Sequence, residues 1–157
     1  MATETERKFL LRDQRYKSLA ARHYDIVQAW LFDSRDKTLR IRIRDNEAFI
    51  TFKGPSSDDG VERFEWEKPI PVEEARELMQ FCLKGKIEKT RYLVPAGPLT
   101  FEVDEFHGDN EGLVIAELEL PSADTPYPRP DWLGEEVTGD KRYYNVMLSK
   151  HPYKTWK

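Results

Sequence analysis

Leu39-Arg40-Ile41-Arg42-Ile43-Arg44 alternates aliphatic and cationic residues without a break. A β-strand sends successive side chains to opposite faces, so this stretch reads as a strand with one apolar and one charged face. The pattern recurs along the chain. Glu4, Glu6 and Lys8 share a face, and so do Arg63, Glu65 and Glu67, with Phe64 and Trp66 opposite. Lys89 with Arg91, Glu102 with Asp104, and Glu117 with Glu119 continue it. Eight strands are expected: Thr3–Leu10, Tyr24–Phe32, Lys37–Arg44, Ala48–Lys53, Arg63–Lys68, Ile87–Leu93, Leu99–Phe106 and Val114–Leu120. Turn residues separate several of them, at Asp45-Asn46, Asp58-Asp59-Gly60 and Asp109-Asn110-Glu111-Gly112, so most neighbours pair as antiparallel hairpins.

Helical spacing is clearest after Pro71, where Val72, Ala75, Leu78, Met79, Cys82 and Leu83 recur until Gly85. Shorter helices are expected at Asp13–Arg22 and around Lys141–Lys150, and the four prolines between Pro121 and Pro130 mark a loop. The expectation is one α+β domain over residues 1–157, mostly antiparallel sheet.

The charge needs a home. Lys and Arg number 25 and Asp and Glu 29, together 34% of the 157 residues, against roughly 25% in a typical globular domain. Disorder would require few aromatics and a large net charge, whereas aromatics reach 12% and the net charge is −4. Like charges side by side on one sheet face repel by about a few tenths of a kcal/mol per pair. Repeating that in several strands implies that a function collected them. Eight antiparallel strands close into a barrel whose interior holds side chains or one small ligand. With the charged faces inward, the barrel becomes a polar tunnel whose apolar outside is covered by helices.

Such a tunnel carries two linings. Lys8, Arg40, Arg42, Lys53, Lys89 and Arg91 suit phosphate oxygens, by guanidinium forks and by ammonium point charge. Glu4, Glu6, Glu65, Glu67, Asp104, Glu117 and Glu119 are oxygen donors without His or Cys among them, the set preferred by hard cations such as Mg²⁺ or Mn²⁺. Together they fit a linear polyanion longer than one phosphate. A lone cysteine, Cys82, excludes an internal disulfide and a multi-cysteine zinc site. No signal-peptide pattern follows Met1 and no apolar run approaches a bilayer span, so a cytoplasmic protein without membrane partners is expected. The slightly acidic balance argues against a general nucleic-acid binder.

These motifs resemble the CYTH superfamily, the triphosphate tunnel metalloenzymes. Glu4-Thr5-Glu6-Arg7-Lys8 matches its ExExK signature, followed in order by Arg40-Ile41-Arg42, Phe49 to Gly54, Arg63 to Glu67, Ile87 to Tyr92, Glu102-Val103-Asp104, Glu117-Leu118-Glu119 and Gly134 to Tyr143. The chain is most similar to compact bacterial members that hydrolyse inorganic tripolyphosphate. The resemblance implies a closed eight-stranded tunnel, two divalent-metal positions and a small-molecule triphosphate substrate, and leaves a homodimer open. It implies Glu4 and Glu6 as metal ligands with Glu117 and Glu119 across the tunnel. Glu65, Glu67 and Asp104 would hold a second metal or the attacking water, and Lys89 would assist the leaving phosphate. A class IV-type adenylate cyclase, a thiamine or nucleoside triphosphatase and a non-catalytic polyphosphate binder remain alternatives.

Ordinary roles are expected for the rest. His23, His107 and His151 show no ligand spacing, Cys82 sits on the apolar helix stripe, and Trp132 is a packing anchor. Arg7 and Glu88 belong to outer ion pairs, Arg44 to the rim, and Asp58-Asp59 and Glu73-Glu74 to a turn and a helix start. Asp140, Lys141 and Arg142 lie in a C-terminal segment expected to help close the tunnel mouth, where Lys141 or Arg142 could touch phosphate.

Overall fold

In a computed structural model, described for residues 3–34 and 36–156 with side chains from Thr5 onward, nine strands and three α-helices follow the chain. The strands are β1 (Thr3–Leu11), β2 (Arg22–Ser34), β3 (Lys37–Arg44), β4 (Glu47–Ser56), β5 (Glu62–Ile70), β6 (Ile87–Ala96), β7 (Leu99–Phe106), β8 (Val114–Glu119) and β9 (Leu133–Glu136). The helices are α1 (Tyr16–Leu19), α2 (Val72–Met79) and α3 (Asn145–Lys150).

The sheet runs β5-β4-β3-β2-β6-β7-β8-β1-β9, and β5 pairs again with β1. That last pairing, Thr3 to Phe64 through Thr5 to Glu62, closes the eight expected strands into an antiparallel barrel. Closure removes the sheet edges that would otherwise expose unpaired backbone groups. β1 reaches three partners by using both edges: β8 pairs along one, and β5 and then β9 pair along the other.

Three expectations are corrected. The helical spacing that ran through Cys82 and Leu83 to Gly85 yields a helix only as far as Met79, because residues 80–82 close in tighter turns and the Leu83 N–H donates to the Trp30 carbonyl of β2. The helix expected at Asp13–Arg22 contracts to α1, because Arg22, His23 and Tyr24 are drawn into β2, where they pair with Leu93, Tyr92 and Arg91 of β6. The short β9 has no counterpart among the expected strands.

The outer face is apolar on two sides. α2 lays Ala75 against Ile41 and Ala48, with Ile43, Ile50 and Ile70 around them. α1, the proline-rich loop and β9 cover a larger cluster of Phe9, Phe101, Val103, Ala116 and Leu118, into which Trp132 packs edge-on against Phe101. Fully burying each such side chain contributes about 1.5–3 kcal/mol.

The interior is not wholly polar, which the alternation alone did not predict. Ile87, Phe106 and Ile115 share the strand face of Lys89, Asp104 and Glu117, and they cluster with Trp30 and Leu113. Val137, Tyr143 and Leu148 of the C-terminal segment join them. One end of the barrel is thus filled by an apolar stopper to which the C-terminal segment contributes, with Leu148 on α3.

A glycine seats that stopper. Gly85 has φ +91°, and a Cβ there would stand 2.0 Å from the carbonyl oxygen of Ser149 on α3. Gly85→Ala is expected to cost more than about 1 kcal/mol and to lower the thermal midpoint by at least about 2–4 °C. An unchanged melting curve would remove this close approach as a constraint.

Candidate active site

Inward-facing strand residues surround one cavity of about 210 Å³. All six expected phosphate-binding cations line it: Lys8 from β1, Arg40 and Arg42 from β3, Lys53 from β4, and Lys89 and Arg91 from β6. Alternation places them on the inner face, and the register brings strands distant in sequence side by side. Lys8 opposes Glu117 across β1 and β8, and Arg91 opposes Asp104 across β6 and β7.

Buried charge is tolerable only when paired and hydrogen-bonded, and Arg91, Lys89 and Lys8 meet that condition. Arg91 grips Asp104 with two bonds, Nε to Oδ1 at 2.7 Å and Nη2 to Oδ2 at 2.9 Å. Its Nη2 also donates to Glu117 at 3.1 Å, and Nη1 lies 3.4 Å from Glu102. Lys89 Nζ donates to Asp104 Oδ2 at 2.7 Å, both side chains being only 1% exposed. Lys8 Nζ donates to Glu117 at 2.5 Å and lies 3.6 Å from Glu6.

These contacts shape the ionisation. Burial, with Arg91 and Arg42 nearby, pushes Lys89 down to about 7 against the opposing pull of Asp104 and Glu117. Burial, then Arg40 and Arg91, also lowers Arg42. Burial alone would raise Asp104 and Glu117. Arg91 and Lys89 outweigh it at Asp104, and Lys8, Arg91 and Lys89 do so at Glu117, so both carboxyls stay below their usual range.

The expected acidic set divides. Asp104 is sealed beneath Lys89 and Arg91 and is absent from the cavity wall, and Glu117 is tied to Lys8 and Arg91. Glu6, Glu65, Glu67 and Glu119 line the cavity together with Glu117, Glu119 at an exposed position. Glu67 accepts from Thr51 at 2.8 Å and lies 3.5 Å from Arg40. The side chain of Glu4 lies outside the described residues. Among the described residues no three acidic or His/Cys side chains converge on one point. The cavity carboxylates are nevertheless oxygen-only donors, and that chemistry fits a hard divalent cation bound together with phosphate oxygens.

Several cavity residues escaped sequence reasoning. Arg63 and Glu102 lie on the expected faces and also line the wall. Tyr144, Asn145 and Val146 enter from the C-terminal segment, with Lys8 above the Tyr144 ring at 5.6 Å. Gln28, fully buried, joins Arg42 to Asn145. No charge pattern marks either amide; only the period of two along β2 could have shown Gln28 facing inward.

Outside the cavity Arg7 and Glu88 take the outer ion pairs expected of them, whereas Lys141 and Arg142 stand away from the cavity wall. Arg7 pairs with Glu136 at 2.9 Å, and Glu88 lies 3.4 Å from Lys86. Asp140 pairs with Arg142 at 2.8 Å, so Arg142 faces a neighbour in its own turn, and neither Lys141 nor Arg142 lines the cavity. Arg44 does line it, at the rim, with Glu47 3.2 Å away. Cys82 is half-buried beside the Leu78 carbonyl. No helix among the described residues is long and apolar enough to cross a membrane.

Comparison with known proteins bears on this arrangement. The CYTH domain family matches residues 2–150. An inorganic triphosphatase of Acetivibrio thermocellus is 46% identical over 158 residues, covering 100% of this chain and 99% of the relative. One from Nitrosomonas europaea is 38% identical over 152 residues, 94% of this chain and 97% of the relative. The crystal structure of the inorganic triphosphatase NE1496 superposes with a TM-score of 0.64 at 33% identity, covering 95% of each chain. A closed antiparallel barrel, six inward cations with interleaved carboxylates, and these full-length similarities agree: the chain belongs to the CYTH domain family.

Proposed function

We propose that this protein is a divalent-metal-dependent triphosphatase that hydrolyses inorganic tripolyphosphate to pyrophosphate and phosphate. The observation that carries the reading is the convergence of Lys8, Arg40, Arg42, Lys53, Lys89 and Arg91 on one cavity that also presents carboxylates. At about 210 Å³ it is smaller than the roughly 300–1,000 Å³ typical of sites that enclose larger organic ligands. A compact polyanion suits it better than a whole nucleotide. The full-length similarity to two inorganic triphosphatases supports the same substrate.

In this reading the cations do most of the work. Arg40, Arg42 and Arg91 spread hydrogen bonds over equatorial phosphate oxygens, and Lys8, Lys53 and Lys89 add point charge where negative charge builds on the transferred and leaving groups. Glu6, with Glu4 and Glu119, would hold Mg²⁺ or Mn²⁺, and Glu65 and Glu67 would hold a second ion or orient the attacking water. The bound ion supplies Lewis-acid charge and a more acidic water. Asp104 and Glu117 serve as countercharges that keep Lys8, Lys89 and Arg91 in place before substrate arrives.

The test is turnover of tripolyphosphate, ATP and thiamine triphosphate, each with Mg²⁺ or Mn²⁺, reading phosphate, pyrophosphate and cyclic AMP. Tripolyphosphate should give phosphate and pyrophosphate and be the preferred substrate. Pyrophosphate with cyclic AMP from ATP would transfer the protein to the cyclase reading, and no turnover by folded protein would end the enzyme reading. Arg42→Ala should weaken tripolyphosphate binding by about 10- to 100-fold, the range for losing hydrogen bonds to a charged group. Binding unchanged in that variant would remove Arg42 from the phosphate contacts.

A further inference from the structure

Two polar side chains outside the charged set, Gln28 and Asn145, link Arg42 to Lys89 in a chain with only one possible hydrogen-bond polarity. Arg42 Nε can only donate, and it lies 2.7 Å from Gln28 Oε1. The Gln28 amide is therefore fixed with its Nε2 turned away, 2.8 Å from Asn145 Oδ1. Lys89 Nζ, also a donor, lies 2.6 Å from the same Oδ1. Reversing Asn145 would set its NH₂ against two other donors, and reversing Gln28 would set an NH₂ against the guanidinium. Amide orientation has to be assigned from such networks, and this one leaves no second solution.

The consequence concerns the other end of Asn145. Its Nδ2 carries two N–H donors, and no acceptor among the described residues meets them. Nor is that nitrogen sealed inside the protein away from every acceptor, as the Nε atoms of Arg7 and Arg44 are. Asn145 lines the cavity between Lys89 and the stopper. An NH₂ held in this orientation is a neutral donor open to a phosphoryl oxygen.

We propose that Asn145 is a substrate-binding residue whose amide NH₂ donates to a phosphate oxygen of the polyanion, and that Gln28 is the positioning residue that fixes this polarity from Arg42. The assignment rests on the polyphosphate reading of the cavity, and deepens it. It gives the C-terminal segment a direct part in recognition, since Asn145 opens α3 while Gln28 lies 117 residues earlier on β2. A neutral donor adds directionality without further positive charge, where Arg42 and Lys89 already repel one another. It also couples the two: Arg42, Gln28, Asn145 and Lys89 keep their geometry only as a set.

Asn145→Asp separates binding from scaffolding. The introduced carboxylate would still accept from Gln28 and Lys89, so the fold should persist, but an oxygen would replace the cavity NH₂. Calorimetry with tripolyphosphate in metal-free buffer should show Asn145→Ala binding about 3- to 10-fold more weakly, the range for one hydrogen bond, and Asn145→Asp more weakly still. In a Gln28→Ala background, Asn145→Ala should cost little further, because the polarity is already lost. The ¹⁵N signal of the Asn145 side-chain amide, identified by its absence in Asn145→Ala, should move on adding tripolyphosphate. Wild-type affinity in Asn145→Asp, an unmoved amide signal at saturation, or additive losses in the double variant would each overturn the assignment. Binding without turnover by the wild type would defeat the enzyme reading and leave this one standing; absence of binding would defeat this one.

Discussion

Asp104→Ala is expected to lower the thermal midpoint by about 6–20 °C, from the cost of stranding buried charge and the size of the chain. Asp104 is 1% exposed and accepts two bonds from Arg91 and one from Lys89. Removing it leaves two buried cations facing each other without their shared countercharge. Breaking a buried pair in this way costs about 3–5 kcal/mol, because the stranded charges have lost water and now lose their partner as well. For a chain of this size each kcal/mol moves the midpoint by roughly 2–4 °C. Tripolyphosphate should restore part of the loss, since its oxygens can take the place of the missing carboxylate beside Lys89 and Arg91. Scanning calorimetry with and without the ligand reads both effects. A midpoint within a degree or two of wild type would mean that Asp104 is not the countercharge of the cradle.

Lys89→Met is expected to do the reverse, sparing the fold and removing activity. Methionine retains much of the aliphatic stem, and Asp104 remains satisfied by the two bonds from Arg91. No charge is left alone. The cavity loses a preorganised cation that already spends two of its three donors on Asp104 and Asn145, which leaves one N–H for a ligand. Losing one such donor typically slows turnover by about 10²–10³-fold. The turnover number with tripolyphosphate should fall by that order, while the midpoint shifts far less than in Asp104→Ala. Turnover within threefold of wild type would place Lys89 outside the transition-state contacts. The pair of variants tests whether the interior acids hold the cations in place and the cations hold the phosphates.

Most of the barrel was legible beforehand because a period of two is a strong local signal. Each charged stretch declared its inner face, and all eight long strands appear where alternation placed them. Misses fell where local signals compete with distant pairing. Residues 13–22 carry a helical pattern, yet Arg22 to Tyr24 gain more from backbone bonds to β6 than from another helical turn. Leu133–Glu136 is too short for a period to show, and it becomes a strand only because the end of β1 offers it bonds. The apolar stopper was hidden because Ile87, Phe106 and Ile115 read as ordinary strand hydrophobics, whose inward direction depends on where each strand's charged run begins.

For the site, alternation assigned the cations and most of the acids to the cavity but could not say which carboxylate would face which cation. That depends on register, since a shift of one residue sends every side chain to the opposite face. Register set Asp104 beneath Arg91 and Lys89, and Glu117 beside Lys8, as countercharges within the cradle. Gln28 and Asn145 lay further out of reach. An amide carries no charge to stand out in a sequence, and its polarity is defined only when Arg42, Lys89 and α3 come within hydrogen-bond distance. The chain by itself determined that its charge is sorted onto one face of its strands. Tertiary structure decided which charges neutralise one another and which donors stay open to a ligand, because those outcomes rest on contacts between residues scores of positions apart.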